Sequence, residues 1–367
     1  MRKICLVKWS LNTTGGGEKV AISLANELSK TYHVHLVGGI TKKEDIFYNL
    51  NKKIRYYNLF DEKIKLSINL YKVIRKMKAY FIKNDIDLVF GIGTSSNVIL
   101  SLSTLGIKTK AVLCDHTNLM GDNNSKSQKV QRYIGSKLAD KIITLTNQDR
   151  EQYIKKYKLL NSKVNYIYNW IEQTNLQSIK YNSDSKKLIT VGRFDNQKGY
   201  DFLGKVATQV LSKYPGWQWD IYGIGEESIK NKLVQELEKN NVLSQVNFMG
   251  TVKGTENIYP NHAIYVMTSR YEGLPLVLLE AKQYGLPIVS FKCPTGPSEI
   301  VLDKENGYLI DNYDVDKMSE KIIKLIENKE LRESFSNNSM KDTEKFDKDK
   351  ILKQWIDLIE ELVGENK

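Results

Sequence analysis

A chain of 367 residues exceeds what one hydrophobic core usually organises, so its length favours two domains. Cys5, Cys114 and Cys293 stand singly in or beside apolar runs, which excludes a disulfide scaffold or a C-x-x-C metal site and reads as three small buried residues of a cytoplasmic protein. The net charge of +12 points to anionic partners and is unevenly spread: residues 1–175 hold 29 Lys+Arg against 14 Asp+Glu, or +15, and residues 176–367 hold 26 against 29, or −3.

Ile4 to Val7 reads as a short apolar strand, and Thr13-Thr14-Gly15-Gly16-Gly17-Glu18 leads into a helix with Val20, Leu24 and Leu28 on one face. Lys8 and Asn12 interrupt the apolar segment too early for a signal peptide. Gly15, Gly16 and Gly17 let the backbone approach a phosphate or sugar at the helix N-terminus, although the same run also suits an ordinary surface turn. It is neither G-x-G-x-x-G nor a P-loop ending in Gly-Lys-Ser/Thr, which removes the main support for a dinucleotide oxidoreductase or a P-loop NTPase. Further strands are expected at 34–38, 87–91, 111–114, 141–146 and 163–167.

The densest basic stretch is 63–83. There Ile64, Ile68, Tyr71, Ile74, Met77 and Phe81 recur at helical spacing beside Lys65, Lys72, Arg75, Lys76, Lys78 and Lys83. That pattern suits an interfacial helix on an anionic membrane, and equally a core-packed helix with a solvated basic face. The uncharged run 88–107 is long enough to span a bilayer, yet Thr94, Ser95, Ser96, Asn97, Ser101, Ser103 and Thr104 make it too polar, so it predicts a strand, a turn and a buried helix. His116, in Leu113-Cys114-Asp115-His116-Thr117-Asn118, follows an apolar strand, where cleft residues of open α/β sheets gather. Strand neighbours point to opposite faces, so Asp115 and His116 are not expected to act together, and His33, His35 and His262 receive no role.

The polar stretch 172–186 is the best linker. Strands follow at 188–192, 218–222, 245–249, 264–267 and 287–290, and their alternation with helical segments argues for parallel sheets with helices on both faces. Past the first of them come Gly192-Arg193 and Lys198-Gly199, two cations suited to one diphosphate, Arg as a fork and Lys as a point charge. The next two end in glycine, at Gly223 and Gly250. In Ser269-Arg270-Tyr271-Glu272-Gly273-Leu274-Pro275, Glu272 belongs to a loop, and the run from Leu276 makes a helix that places Glu280 about two turns inside. The N–H groups of Gly273, Leu274 and Leu276 can then hold a diphosphate, while the acids accept from sugar and ribose hydroxyls. Two glutamates eight apart are, by themselves, equally a solvated surface helix. A last helix with Ile351, Leu352, Trp355, Ile356, Leu358, Ile359 and Leu362 has an apolar face to bury.

Taken together and in this order, the segment 269–300, the Gly-Arg and Lys-Gly element and the Gly-ended strands resemble the donor site of the retaining glycosyltransferases of family 4, and the likeness covers nearly the whole chain. The resemblance implies the GT-B fold: α/β, with two Rossmann-like doubly wound parallel-sheet domains facing a central cleft. Residues 1–175 then bind the acceptor, the last helix, 346–367, returns to them, and 176–345 bind the donor. It implies catalytic parts for His116, Glu272, Arg193 and Lys198, and a donor site of Gly15, Gly16, Gly17, Gly192, Arg193, Lys198, Gly223, Gly273, Leu274, Pro275, Leu276, Glu280, Thr295 and Gly296. Glu272 then binds the donor sugar, Glu280 the ribose, and the leaving phosphate helps deprotonate the acceptor on the front face. The wording Cys293-Pro294-Thr295-Gly296-Pro297-Ser298-Glu299 resembles a subgroup that makes bacterial exopolysaccharide and capsule.

The expected reaction is transfer of a hexose-type residue from a nucleotide diphosphate sugar, UDP above others, to a saccharide acceptor, chiefly a lipid-linked precursor of capsule, exopolysaccharide or O-antigen. Neither a cofactor nor a metal is expected, and the basic first domain fits peripheral attachment to the inner face of an anionic membrane. Three alternatives stay open: a GT-B sugar-nucleotide epimerase, a glycosyltransferase-like accessory subunit, and a non-enzymatic nucleic-acid-binding protein. No nucleic-acid-binding motif accompanies the charge, so nucleic acid is not an expected partner.

Overall fold

The computed structural model describes residues 1–12, 15–62, 64, 66–93, 97–119, 126–172 and 181–364. Thr13, Thr14, Lys63, Lys65, the turn 94–96 and most of the linker, all singled out above, lie outside the described residues. The chain divides into two compact units, Met1–Asn169 with Lys348–Lys367, and Trp170–Asp347, beside the 1–175 and 176–345 expected from sequence.

The first unit is a parallel sheet of β1 (Lys3–Lys8), β2 (His33–Gly38), β3 (Arg55–Asn58), β4 (Leu88–Ile92), β5 (Lys110–Asp115), β6 (Lys141–Thr144) and β7 (Val164–Tyr166), in the order β3-β2-β1-β4-β5-β6-β7. Its central strands are unbroken apolar runs because both faces are covered: Ile4, Cys5, Leu6, Leu88, Val89 and Phe90 have no exposed surface. The connecting helices are α1 (Gly16–Leu28), α2 (Leu66–Asn84), α3 (Asn97–Ser103), α4 (Lys126–Leu138) and α5 (Asn147–Tyr157). The strand order reverses between β1 and β4, so the chain leaves these two strands in opposite directions and opens a crevice at their C-terminal ends.

The second unit repeats the plan with β8 (Lys187–Val191), β9 (Gln218–Tyr222), β10 (Val246–Gly250), β11 (Ile264–Met267), β12 (Ile288–Phe291) and β13 (Gly307–Ile310), ordered β10-β9-β8-β11-β12-β13. Its switch point lies between β8 and β11. Helices α6 (Tyr200–Leu211), α7 (Glu227–Lys239), α8 (Leu276–Gln283), α9 (Pro297–Ile300), α10 (Val315–Glu327) and α11 (Lys329–Asn337) complete it. Fully buried Trp219 anchors the core, its indole N–H donating to Thr190 Oγ1 at 3.0 Å. Two strands went unforeseen, β3 and β13, and both are sheet edges. An edge strand needs one paired neighbour and little apolar surface, which is why Arg55-Tyr56-Tyr57-Asn58 can serve as one.

Helix α12 (Lys348–Val363) belongs to the first unit, burying Ile351, Trp355, Leu358 and Ile359, with Trp355 edge-on to Phe90 at 5.4 Å. Polar contacts fix its register: Tyr32 O–H donates to Glu360 at 2.8 Å, and Lys348 pairs with Glu27 at 2.9 Å. The run 88–107 resolves into β4 and α3, and among the described residues no helix is long and apolar enough to cross a membrane. Helix α2 divides the apolar positions singled out above. Val73, Met77, Tyr80 and Phe81 are buried, whereas Ile68 and Tyr71 are 77% and 73% exposed, because the core-facing stripe follows 73, 77 and 80–81.

Trp355→Ala removes a nearly fully buried indole from the α12 seam and should cost about 3–5 kcal/mol, read as a lower urea midpoint for the first unit. A loss below about 1 kcal/mol would mean the seam is not part of that unit's core.

Candidate functional site

The strongest constellation forms where the chain leaves β8 and β11, on the two sides of the second unit's switch point. After β8 come Gly192, Arg193, Asp195, a single 3-10 turn Asn196–Lys198 capped by the Asp195 side chain, and Gly199. After β11 come Thr268 to Pro275, then α8. The two loops are tied to each other by short polar contacts. Arg270 donates its backbone N–H to Gln197 O at 2.8 Å and pairs with Asp201 at 2.6 Å. Thr268 Oγ1 donates to Lys198 O at 3.0 Å. Gln197 Nε2 donates to Tyr271 O at 2.9 Å and to Glu272 Oε2 at 3.3 Å, and Lys198 Nζ donates to Glu272 Oε1 at 2.7 Å.

Glu272 is buried, so its charge needs these partners. Its backbone carbonyl accepts from Thr295 Oγ1 at 2.5 Å, which brings the 293–296 loop against Gly273 and Pro275. Gly296 has φ +94°, and a Cβ there would lie 2.6 Å from both Gly273 O and Pro275 Cδ, so only glycine lets these loops meet. Gly223, at φ +139°, is constrained likewise: a side chain would strike the Gly192 carbonyl, which accepts from Tyr200 O–H at 2.7 Å. Arg193 is the outermost member, its side chain 61% exposed and 3.2 Å from Asp195. The two cations are thus each matched with a carboxylate, Lys198 with Glu272 and Arg193 with Asp195.

Helix α8 starts at Leu276 behind Pro275, which is held extended at φ −72° and ψ 102°. Glu280 is therefore the fifth residue of the helix, a little over one turn inside where about two had been expected, because the start at Leu276 leaves only four residues ahead of it at about 3.6 per turn. Its Oε2 accepts from Tyr259 O–H at 2.6 Å. The first N–H groups of α8, Leu276 among them, lack intrahelical acceptors and carry the positive end of its dipole, close to Gly273 and Leu274. Helix α8 is pinned from behind by Lys282, which is fully buried and donates to Ile300 O at 2.8 Å and Lys341 O at 3.1 Å. Burial pulls that ammonium down to about 8. A polar depression at the opposite, N-terminal strand edge, lined by Ser185, Lys187, Gln218 and Asn261, shares none of these residues.

Gly15, Gly16 and Gly17 lie in the first unit where the chain leaves β1, at its own switch point, and His116 follows β5, the strand next to β4. Gly15 is the N-cap of α1, and Lys8 at the end of β1 pairs with Glu18 in the first helical turn at 3.2 Å. Neither ring nitrogen of His116 has a hydrogen-bond partner among the described residues, and both are buried. Burial, reinforced by the Lys8 charge, lowers its pKa to about 4. Asp115 turns away into the core, where Arg132 Nε donates to it at 2.7 Å and Tyr153 O–H also bonds it, so the two neighbours take separate parts. Lys8, Gln197, Arg270 and Tyr259 were not foreseen. Lys8, a charge closing an apolar strand before a glycine run, was the one with a visible signal.

The model of the Glycosyl transferases group 1 matches residues 172–342, and that of Glycosyltransferase Family 4 matches residues 14–174. The amylovoran biosynthesis glycosyltransferase AmsD of Erwinia amylovora is 28% identical over 98% of this chain and 100% of its own length. An α-1,4-N-acetyl-D-galactosaminyltransferase of Campylobacter jejuni, named for a diNAcBac-PP-undecaprenol-linked acceptor, is 23% identical over 99% of each chain. The crystal structure of a TarM mutant from S. aureus in complex with Fondaparinux, alpha-GlcNAc-glycerol and UDP superposes with a TM-score of 0.83 at 17% identity, covering 98% of this chain and 99% of that one.

Below its ordinary value near 6.5, an unfolded His116 takes a proton that the folded site refuses until about pH 4. Stability should therefore fall as pH drops through that interval, by on the order of 3 kcal/mol. His116→Gln abolishes this titration, so its unfolding free energy should fall less than the wild type's between pH 6.5 and 4.5. Parallel urea titrations cancel the similar contribution of buried His35, and equal slopes would show a solvated ring.

Proposed function

This chain belongs to the glycosyltransferases of family 4 and has their GT-B fold, and from that premise we propose a specific reaction: retaining transfer of a hexose-type residue from a UDP-sugar to a lipid-linked saccharide in cell-surface polysaccharide assembly. The observation that carries it is the pairing of half-buried Lys198 with buried Glu272 beside the start of α8. An ammonium has three donors, so Lys198 can keep Glu272 and still take a phosphate oxygen. The leaving diphosphate then meets Lys198, Arg193 and the free N–H groups of α8, preorganised positive charge that needs no divalent ion. Glu272, held on both oxygens, faces the sugar hydroxyls, and Glu280 takes the ribose diol. No residue of this cluster is a free nucleophile, which favours a front-face departure in which the diphosphate accepts the acceptor's proton. UDP is the nucleotide bound in the TarM structure, and the undecaprenol-linked acceptor named for the Campylobacter jejuni relative supports a lipid carrier.

The membrane part of the reading rests on α2. Ile68 and Tyr71 stand exposed beside exposed Lys72, Arg75 and Lys76, in the half of the chain that holds +15 from 29 Lys+Arg and 14 Asp+Glu. Apolar groups with a basic fringe suit shallow insertion into an anionic surface.

Two experiments test this. Glu280→Ala should weaken UDP and UDP-sugar alike, whereas Glu272→Ala should leave UDP calorimetry nearly unchanged and lower turnover, assayed in EDTA, by on the order of a hundredfold or more. Loss of UDP affinity in Glu272→Ala as severe as in Glu280→Ala, or transfer that requires added manganese, contradicts the assignment. On vesicles, binding should need anionic lipid, weaken as salt shortens the screening length below about 8 Å, and fall further when Lys72, Arg75, Lys76 and Lys78 are neutralised together. Equal binding to neutral vesicles would remove the membrane from the proposal.

A further inference from the structure

Beneath the second unit's site lies a layer of three buried tyrosines that the reaction above does not use. Tyr259 has no exposed surface, and its ring stacks on Tyr284 at 5.4 Å with 18° between planes and lies 6.2 Å from Tyr265. The Tyr284 hydroxyl shares a hydrogen bond with Thr255 Oγ1 at 2.9 Å, and Tyr265 O–H donates to Val191 O at 3.3 Å, the residue before Gly192-Arg193. The backbone is held as firmly. His262 Nδ1 lies 3.2 Å from the Tyr259 carbonyl, and its Nε2 lies 3.1 Å from Asp220 Oδ2, itself 3.3 Å from Lys187 Nζ. Although burial disfavours its charge, hydrogen bonds from His262 and Asn247 and the nearby Lys187 hold Asp220 at about 2, so this anchor stays ionised.

We propose that Tyr259 is the positioning residue for Glu280: its fixed phenol pins one carboxylate oxygen and so sets the enzyme's preference for a ribose diol over a deoxyribose. A glutamate side chain on a helix has three torsions to order before it can receive a diol, and a rigid donor supplies that order in advance. Tyr259 cannot exchange this part for that of a base. Burial and the neighbouring Glu280 charge raise its pKa well above the ordinary phenol value, so it remains a donor. The inference rests on reading Glu280 as the ribose contact, and it reassigns part of the nucleotide selectivity to a residue that touches no substrate.

The test is UDP and 2′-deoxy-UDP calorimetry on the wild type, Tyr259→Phe, Glu280→Ala and the double variant. Tyr259→Phe keeps the stacked ring and should raise the Kd for UDP about five- to tenfold while shrinking the preference for UDP over 2′-deoxy-UDP. In the Glu280→Ala background the same substitution should change nothing further, since a residue that acts through Glu280 has nothing left to position. Glu280→Asp, which draws the carboxylate away from the phenol, should mimic Tyr259→Phe and serves if the latter folds poorly. Unchanged UDP affinity in Tyr259→Phe, or an equal loss with and without Glu280, overturns the inference while leaving the reading of Glu280 standing. Wild-type protein that does not bind UDP, or Glu280→Ala that binds it normally, overturns that reading and the inference with it.

Discussion

The second unit's site depends on one ion pair, half-buried Lys198 with buried Glu272 at 2.7 Å. The two residues leave neighbouring parallel strands whose connections run in opposite directions, and nothing in sheet hydrogen bonding holds those loops together beyond the strand ends. The pair does so, with Gln197 and Arg270 as flanking ties. Because Glu272 is buried, removing Lys198 leaves an uncompensated charge rather than a relaxed loop. A cation that neutralises a carboxylate at rest in this way still retains two further N–H donors.

Much of this was legible in the chain because the relevant patterns are local. Central strands read as unbroken apolar runs, and the loop-to-helix signature at 269–283 gave the position of Glu272 outright. What stayed hidden was pairing. Lys198 and Glu272 are 74 residues apart, Tyr259 and Glu280 are 21 apart, and no periodicity says which distant side chains meet. The start of α8 at Leu276 was read correctly but the depth of Glu280 was not, since five residues make little more than one turn, and on α2 the spacing alone did not separate buried Met77 and Phe81 from exposed Ile68 and Tyr71. Edge strand β13, four residues beginning with glycine, lacked the apolar run that marks its neighbours.

The two switch points are built by different means. In the second unit the charges are matched: Lys198 with Glu272, Arg193 with Asp195, Arg270 with Asp201. In the first, Lys8 is matched by Glu18, and past the neighbouring β5 His116 has two buried ring nitrogens without a partner among the described residues. Burial and the nearby Lys8 charge keep that imidazole neutral until about pH 4, with one ring N–H and one lone pair.

Rigidity is graded in the same direction as chemistry. Below the strand ends lie groups with no freedom left: the Tyr259 layer, the Asp220–His262 anchor and the Lys282 tie, all nearly or fully excluded from water. Above them stand Glu280, oriented by buried Tyr259, and Glu272, oriented by half-buried Lys198, and outermost is exposed Arg193. Preorganised donors repay their cost only if the groups behind them cannot yield. That ordering, with buried residues supporting oriented ones and an exposed cation at the rim, suits the departure of a charged group proposed above. It follows from placing apolar strands, stacked rings and buried pairs beneath a single loop-to-helix turn.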